Sequence, residues 1–174
     1  MKKILIIGGN GSGKTTFAKK ISRQLNIPLI HLDRIGRTDN WKRVDEHIVQ
    51  QALNREMEKD MWIIDGNDTK TLPHRLKHCD TVFYFDFSTF SCLSGVIKRT
   101  IENYGKHRDD VGGENNIERF DYAKIEFFKA VLRFNRKNRK RYYELLNNNP
   151  NIKVIVFKNR KQVNEYLNMS IDLK

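Results

Sequence analysis

The chain has 174 residues, 39% of them hydrophobic, and a formal net charge of +12 at pH 7. This length favours a single domain with a sizeable core, and the lack of eighteen consecutive apolar residues argues against a membrane span. The positive charge indicates an anionic partner, for which nucleotides and nucleic acids both qualify. An apolar run begins at Ile4 and leaves no room for a secretory signal, so we expect a cytoplasmic protein with Cys79 and Cys92 as free thiols.

The first apolar run, Ile4–Ile7, leads directly into the segment GGNGSGKTT at Gly8–Thr16. This segment fits G-x-x-x-x-G-K-[ST], a phosphate-binding loop whose glycines let backbone N–H groups surround an anion. Apolar residues at helical spacing from Phe17 predict a helix after the loop, and its N-terminal dipole adds to anion binding. Lys14 is expected to reach the β- and γ-phosphates, and the Thr15 hydroxyl to ligate Mg²⁺. The predicted phosphate site comprises Gly8, Gly9, Asn10, Gly11, Ser12, Gly13, Lys14, Thr15 and Thr16.

Short apolar runs recur along the chain, with helical patterns between them. This alternation predicts a parallel sheet with helices on both faces. Ligands bind beyond the carboxyl ends of the strands in such sheets, so the residues after each run are candidate site residues. The runs are Ile4–Ile7, Ile27–Leu32, Trp62–Ile64, Val82–Phe87 and Ile152–Phe157.

Two acidic residues follow predicted strands. Asp33 comes after the second run, where a carboxylate either orients an acceptor hydroxyl and takes its proton or caps the next element. Asp65 ends the third run, where it either binds Mg²⁺ beside the phosphate loop or forms a turn or helix cap. Gly66 allows close backbone approach next to Asp65. His31 is interpreted as a packed residue.

Two polar inserts interrupt the pattern. The first, residues 36–59, ends in a helix predicted over Val44–Lys59 and contains Trp41, which either stacks on a ligand ring or packs against that helix. The second, Glu102–Asn116, has three glycines and many charges and is predicted to be a mobile flap. A long helix is predicted over Ile117–Asn147, with a core stripe of Phe120, Phe127, Val131, Phe134 and Tyr142.

Basic residues stand out in two settings. Guanidinium groups near the loop edges suit phosphoryl transfer, and one to three are expected to face the site. In the stretch Lys129–Arg141, seven of thirteen residues are Lys or Arg, which indicates either a solvated helix face or a nucleic-acid surface. The candidate arginines are Arg34, Arg37, Arg75, Arg99, Arg108 and Arg119.

The order of several segments resembles that of the adenylate-kinase-like branch of P-loop proteins. These segments are the phosphate loop, HLD, WIIDGN, Arg75, FYFDF and the arginine-flanked flap. The closest resemblance, over most of the chain, is to the DNA topology modulation proteins. It implies one domain over residues 1–174, an α/β fold with five parallel strands ordered 2-3-1-4-5, an acceptor-binding first insert and a lid at about residues 99–118. It also implies ATP at Gly8–Thr16, with Mg²⁺.

The resemblance also implies residue roles. Asn67 stands where the family's DG-F-P-R motif has Phe, so the acceptor-phosphate arginine of that motif is missing and Arg75 is expected to replace it. The catalytic set is Lys14, Asp33, Arg99 and Arg108; the acceptor set is Asp33, Arg37, Trp41, Gly66, Asn67 and Arg75; and the metal ligands are Thr15 and Asp65.

The leading functional hypothesis is an ATP-dependent kinase for a nucleotide or nucleoside-like acceptor. The alternative is a nucleic-acid-binding or DNA-topology regulatory protein with a residual nucleotide site, using the basic helix at residues 129–141. A dinucleotide-binding loop is excluded because residues 10 and 14 are not glycine. A switch GTPase is disfavoured because no N-K-x-D-like motif follows the later strands.

Overall fold

The computed structural model describes residues 1–169, and its centre is a five-stranded sheet in which every neighbouring pair of strands runs parallel. The strand order 2-3-1-4-5 confirms the prediction. The strands are β1 (Lys3–Gly8), β2 (Leu29–His31), β3 (Trp62–Asp65), β4 (Thr81–Phe85) and β5 (Lys153–Phe157). The helices are α1 (Lys14–Leu25), α2 (Leu32–Gly36), α3 (Glu46–Met57), α4 (Leu72–Leu76), α5 (Thr89–Glu102), α6 (Tyr122–Asn147) and α7 (Arg160–Met169), with a 3₁₀ turn at Asp39–Trp41.

Helices cover both faces of the sheet because successive side chains of a strand point to opposite sides, and both sides are apolar here. In β1, Ile4 and Ile6 belong to one hydrophobic cluster, and Leu5 and Ile7 belong to the other. Helices α1, α5 and α7 contribute side chains to the first cluster, whereas α2, α3 and α4 contribute to the second. The long α6 contributes to both.

The strand register brings chemically active positions to one edge of the sheet. Ile6 of β1 pairs with Asp65 of β3, which pairs in turn with His31 of β2. On the other side, Gly8 pairs with Phe85 of β4. The phosphate loop, Asp65 and His31 therefore leave the sheet side by side.

The first insert contains a shorter helix than the sequence predicts. The predicted range is Val44–Lys59, but α3 spans Glu46–Met57. It begins there because the Asp45 carboxylate accepts a hydrogen bond from the backbone N–H of His47 at 2.8 Å, which caps the helix.

The long helix also begins later than predicted. Helix α6 starts at Tyr122 rather than at residue 117 because Asp121 accepts a hydrogen bond from the backbone N–H of Lys124 at 2.9 Å. Residues 117 and 118 instead form backbone bridges with His107 and Tyr104 inside the lid. The prediction that Phe120 lies in the core is wrong: its side chain is 55% exposed and stacks on Tyr104.

Two further element ends differ from expectation. Strand β2 ends at His31, so Asp33 lies in the first turn of the short helix α2. Helix α5 continues to Glu102, so the first residues of the predicted lid are helical. Across residues 1–169, no helix combines the length and apolar character that crossing a membrane requires.

Candidate active site

A cleft of about 1410 Å³ opens at the carboxyl edge of the sheet. It exceeds the volume of a typical single-ligand pocket, so it has room for two substrates. Its wall is formed by the phosphate loop, the ends of β2 and β3, the first insert, the lid and the start of α6. The predicted site residues that line it are Asn10, Gly11, Gly13, Lys14, Thr15, Thr16, Asp33, Arg37, Trp41, Asp65, Gly66, Asn67, Arg99 and Arg108.

The phosphate loop has a backbone that suits an anion. Gly11 and Gly13 have φ angles of +82° and +95°, which side chains rarely adopt, and a Cβ at residue 11 would collide with the carbonyl oxygen of Cys92. Helix α1 begins directly after the loop, so its unpaired N–H groups and dipole face the same space. The conformation therefore fits a triphosphate, as the motif predicts.

Lys14 lies across this loop. Its side chain is buried, and its Nζ donates a hydrogen bond to the carbonyl oxygen of Gly9 at 2.8 Å. Burial lowers the pKa of Lys14, although the nearby Asp65 carboxylate opposes part of that effect. A phosphate group in the loop would supply the negative charge that the buried ammonium group needs.

Thr15 and Asp65 form the predicted metal-binding pair. The Thr15 hydroxyl donates to Asp65 Oδ2 at 2.7 Å, and the Asp65 carboxylate is buried. A hydroxyl and a carboxylate oxygen are ligands that Mg²⁺ accepts, with waters and substrate phosphates completing its shell. Within residues 1–169 no group of three or more His, Cys, Asp or Glu side chains is placed to hold a metal ion. Magnesium binding by Thr15 and Asp65 stays a prediction.

His31 is a site residue that sequence reasoning missed. Its Nδ1 lies 3.3 Å from Asp65 Oδ2, the same oxygen that accepts the Thr15 hydroxyl, and it lines the cleft. The contact arises because β2 pairs His31 directly with Asp65. That register depends on tertiary structure, so the sequence carried no signal for it.

Asn67 and Asp33 both line the cleft, in different ways. Asn67 Oδ1 accepts hydrogen bonds from the backbone N–H of Gly8 at 3.2 Å and the Tyr142 hydroxyl at 2.9 Å. Its buried Nδ2 has no hydrogen-bond partner among the described residues. The Asp33 side chain is exposed. Asp33 is therefore accessible to an acceptor, whereas Asn67 braces the phosphate loop and retains one unused donor.

The prediction that Arg75 contacts the acceptor is wrong. Its side chain is completely buried, and burial lowers its pKa to about 10. The guanidinium group donates to the carbonyl oxygens of Gly66 and Asp68 and to the Thr71 hydroxyl, at 2.7–3.2 Å. Arg75 therefore stabilises the loop after β3 from its buried side.

The two predicted lid arginines surround a buried glutamate. Glu118 has no exposed surface; its carboxylate accepts a hydrogen bond from Arg108 Nη1 at 3.2 Å and also contacts Lys124 Nζ. Arg99 Nε lies 3.9 Å from the same carboxylate and has no hydrogen-bond partner among the described residues. The Arg108 guanidinium group also donates two hydrogen bonds to the Asp110 carboxylate, at 2.5 and 2.9 Å. Three cations thus meet two carboxylates at the wall of the cleft.

This cluster shifts the ionisation of its members. Burial alone would raise the pKa of Glu118, but Lys124 and the two arginines outweigh it and hold that pKa below its ordinary value. The pKa of Asp110 is lowered in the same way, because Arg108 overcomes the effect of burial. Burial lowers the pKa of Arg99, and the charge of Arg108 lowers it further. The two carboxylates therefore owe their lowered pKa values to the cationic side chains packed around them.

The lid contacts the first insert. Cβ atoms added at Gly112 and Gly113 would collide with the backbone of residues 34–39, so only glycine permits this approach. Asp39 Oδ1 accepts hydrogen bonds from the backbone N–H groups of Glu114 and Asn115 at 2.6 and 3.2 Å. The predicted mobility of this segment stays a prediction.

The basic stretch on α6 presents a stripe at helical spacing, Lys129, Arg133, Arg136 and Lys140, that is exposed to solvent. Two of its members form exposed ion pairs, Lys129 with Glu126 and Lys140 with Glu144. Arg133 and Arg136 are exposed as well. This arrangement is typical of a solvated helix face, and nucleic-acid binding by residues 129–141 stays a prediction.

Comparisons with known proteins agree with this geometry. The profile of the ATPase family associated with various cellular activities (AAA) matches residues 4–85, just under half of the chain, which include the phosphate loop and Asp65. No curated protein sequence shows significant similarity to the chain.

Solved structures extend the comparison to the whole chain. A shikimate kinase from Acinetobacter baumannii in complex with shikimate has a TM-score of 0.57 at 13% identity, covering 100% of this chain and 95% of that one. A gluconokinase from Sinorhizobium meliloti 1021 has a TM-score of 0.54 at 10% identity, covering 98% and 90%. A shikimate kinase from Aquifex aeolicus vf5 has a TM-score of 0.50 at 18% identity, covering 98% and 94%.

The chain therefore shares the fold of these kinases. Identities of 10–18% show shared architecture and do not by themselves transfer an activity to this chain.

Proposed function

We propose that the chain is a magnesium-dependent kinase that transfers the γ-phosphate of ATP to a nucleotide or nucleoside-like acceptor. The observation that carries the proposal is the 2.7 Å hydrogen bond between Thr15 and Asp65, beside the phosphate loop. The same cleft also holds Asp33 and the lid arginines. A phosphate cradle, a metal-binding pair and an accessible carboxylate are the components that phosphoryl transfer needs.

Each residue has a defined task in this proposal. An acceptor oxygen, which is a hydroxyl of a nucleoside or a singly protonated phosphate of a nucleoside monophosphate, attacks the γ-phosphorus; the bond to the β–γ bridging oxygen breaks, and ADP leaves with those electrons. Asp33 takes the proton from the attacking oxygen, and Lys14 binds the phosphate oxygens. Arg99 and Arg108 stabilise the charge on the transferring group. Bound Mg²⁺ would neutralise the triphosphate, with Thr15 and Asp65 holding it.

The lining of the cleft supports an anionic acceptor with a ring. Arg43, Arg119 and Lys124 line the cleft, and Trp41 offers an aromatic face. Arg37 lines it too, although its Nη1 already donates to the carbonyl oxygen of Trp41 at 2.9 Å. A nucleoside monophosphate matches both features, because phosphate pairs with guanidinium groups and a base stacks on an indole.

An acceptor screen tests the proposal. ADP formation from ATP and Mg²⁺ is measured alone and with nucleosides, nucleoside monophosphates, shikimate or gluconate. We expect stimulation by a member of the first two classes. Stimulation by shikimate or gluconate alone would keep the kinase but reassign its acceptor. ADP formation that no acceptor changes would contradict the proposal.

A further inference from the structure

The backbone at Trp41 adopts a conformation that its side chain disfavours. Asn40 and Trp41 have φ angles of 54° and 58°, in the left-handed region. Asparagine tolerates this region, but a bulky residue such as tryptophan seldom enters it. Such a conformation persists only where neighbouring groups hold it, and it is a feature of ligand clamps.

The groups that hold Trp41 come from two segments. Its backbone N–H donates to Asn116 Oδ1 of the lid at 2.5 Å, and its carbonyl oxygen accepts from Arg37 Nη1 at 2.9 Å. Both peptide groups of the strained residue are therefore fixed by side chains.

Asn116 is buried where the lid meets the first insert. It has no exposed surface, and its Nδ2 donates to the carbonyl oxygen of Thr38 at 3.0 Å and to that of Gly112. One amide group thus ties the lid to both ends of the turn at residues 38–41. The hydrogen bonds to Trp41 and Thr38 depend on the lid lying against the first insert, whereas the one to Gly112 stays within the lid.

The indole of Trp41 lies at the cleft, next to the start of α6. Lys124 Nζ is 5.8 Å from the centre of the Trp41 ring and 5.5 Å from that of Phe127, and all three residues line the cleft. The ring is thus placed between the first insert and α6, where an acceptor would meet it.

We propose that Asn116 is a positioning residue that fixes Trp41 as part of the acceptor surface, so that contact of the lid with the first insert completes this surface. The acceptor role of Trp41 rests on the proposed function, whereas its positioning by Asn116 does not. Since coupling between two equilibria is reciprocal, an acceptor that contacts Trp41 also favours the lid contact.

Acrylamide quenching of tryptophan fluorescence tests the positioning without any ligand. The other tryptophan, Trp62, is completely buried. Fluorescence of the Trp41→Phe variant measures the contribution of Trp62, which is then subtracted. Asn116→Ala removes the holding amide. Gly113→Ala places a Cβ 2.5 Å from the backbone nitrogen of Asp39 and forces the lid away. We expect both variants to raise the quenching constant of Trp41 at least about twofold, because the indole gains freedom on the nanosecond timescale.

Two matched controls separate this effect from general damage. Asn115→Ala changes an exposed neighbour whose described contact is through its backbone. Gly105→Ala introduces a side chain at a positive φ of 72°, but into open space within the same lid. Both should leave quenching unchanged. Circular dichroism confirms folding of each variant, and hydrogen exchange at the Trp41 amide, which should accelerate in Asn116→Ala, supplies a second measurement.

Steady-state kinetics tests the role of Trp41 at the acceptor. AMP is the first acceptor tried, followed by the other compounds of the acceptor screen. In Asn116→Ala the acceptor KM should rise about tenfold, the effect of one lost hydrogen bond, while the KM for ATP stays within about twofold. Unchanged quenching and amide exchange in Asn116→Ala would overturn the positioning role. Changed quenching with an unchanged acceptor KM would overturn the role of Trp41 at the acceptor. If no acceptor stimulates turnover, the kinase proposal fails while the quenching result still decides the positioning.

Discussion

The buried ammonium group of Lys14 makes its role testable by a change that preserves size. Lys14→Met keeps an unbranched side chain that is one atom shorter and removes the charge, so it should relieve a desolvation cost and leave the fold intact. Calorimetric titration with ATP and Mg²⁺ should show binding at least about 100-fold weaker, the loss expected of a phosphate-contacting charge. Lys20→Met, on the exposed side of α1, is the matched control. Equal affinity in the two variants would contradict the assignment.

Asp65 and Asp33 should have separable effects. Asp65 is buried and bonded to Thr15, whereas Asp33 is exposed in the first turn of α2. Asp65→Asn should therefore raise the Mg²⁺ concentration needed for half-maximal ATP binding about tenfold or more. Asp33→Asn should leave that concentration unchanged and lower acceptor-stimulated kcat by about 100-fold or more. Identical profiles in both variants would refute the division of tasks.

Arg108 should matter more for turnover than for binding. Arg108→Ala should lower kcat by about 1000-fold, since an arginine on the transferring phosphate has an effect of this order. Arg108→Lys should not restore the rate, because an ammonium group cannot donate the paired hydrogen bonds that a planar guanidinium group offers to a phosphate and here gives to Asp110. Arg136→Ala, on the exposed face of α6, serves as the control. A kcat for Arg108→Ala close to that of this control would remove Arg108 from the mechanism.

A cluster of charged side chains joins the lid to α5 and α6. Glu118 is its centre, and because the folded-state pKa lies below the ordinary value of 4.5, its contribution to stability is present above that pH. The contribution is lost as the pH falls through the folded-state pKa. Glu118→Gln should therefore lower the free energy of unfolding by about 2 kcal/mol at pH 7, somewhat less than breaking a fully buried pair, because Arg108 keeps Asp110.

Urea unfolding across pH measures this contribution. The difference between the parent protein and Glu118→Gln should shrink as the pH drops below about 4.5, where the parent loses the same charge. Glu102→Gln, in an exposed ion pair with Lys98, should change stability by less than about 0.5 kcal/mol at any pH. A difference for Glu118→Gln that stays constant with pH would contradict the electrostatic account.

Local patterns predicted the elements better than their ends or their polar contacts. The phosphate loop and Asp65 were predictable because a spaced motif and a strand end fix their places. The roles of Arg75 and His31 were not, because only tertiary packing decides whether a polar side chain faces a cleft or a neighbouring backbone. Arg75 finds three oxygen acceptors in its own loop, and His31 meets Asp65 through strand register.

The architecture as a whole was predictable for a related reason. Alternating apolar runs and helical patterns favour a parallel sheet covered on both faces, and the family resemblance supplied the strand order that the structure shows. The lid was harder, since the sequence indicated only a polar, glycine-rich segment. Its buried Asn116 bonds to Trp41, 75 residues away, and its buried Glu118 bonds to Arg108 across an irregular loop, so neither pairing follows a helix or strand period.

Direct observation of phosphoryl transfer is the measurement that tests the central claim. ATP labelled at the γ-phosphate is incubated with Mg²⁺ and each acceptor, and the products are separated and identified, with Lys14→Met in parallel. The account predicts a labelled phosphorylated acceptor in amounts equal to the ADP formed, and its loss in Lys14→Met. Label released only as inorganic phosphate, or equal product with Lys14→Met, would contradict it.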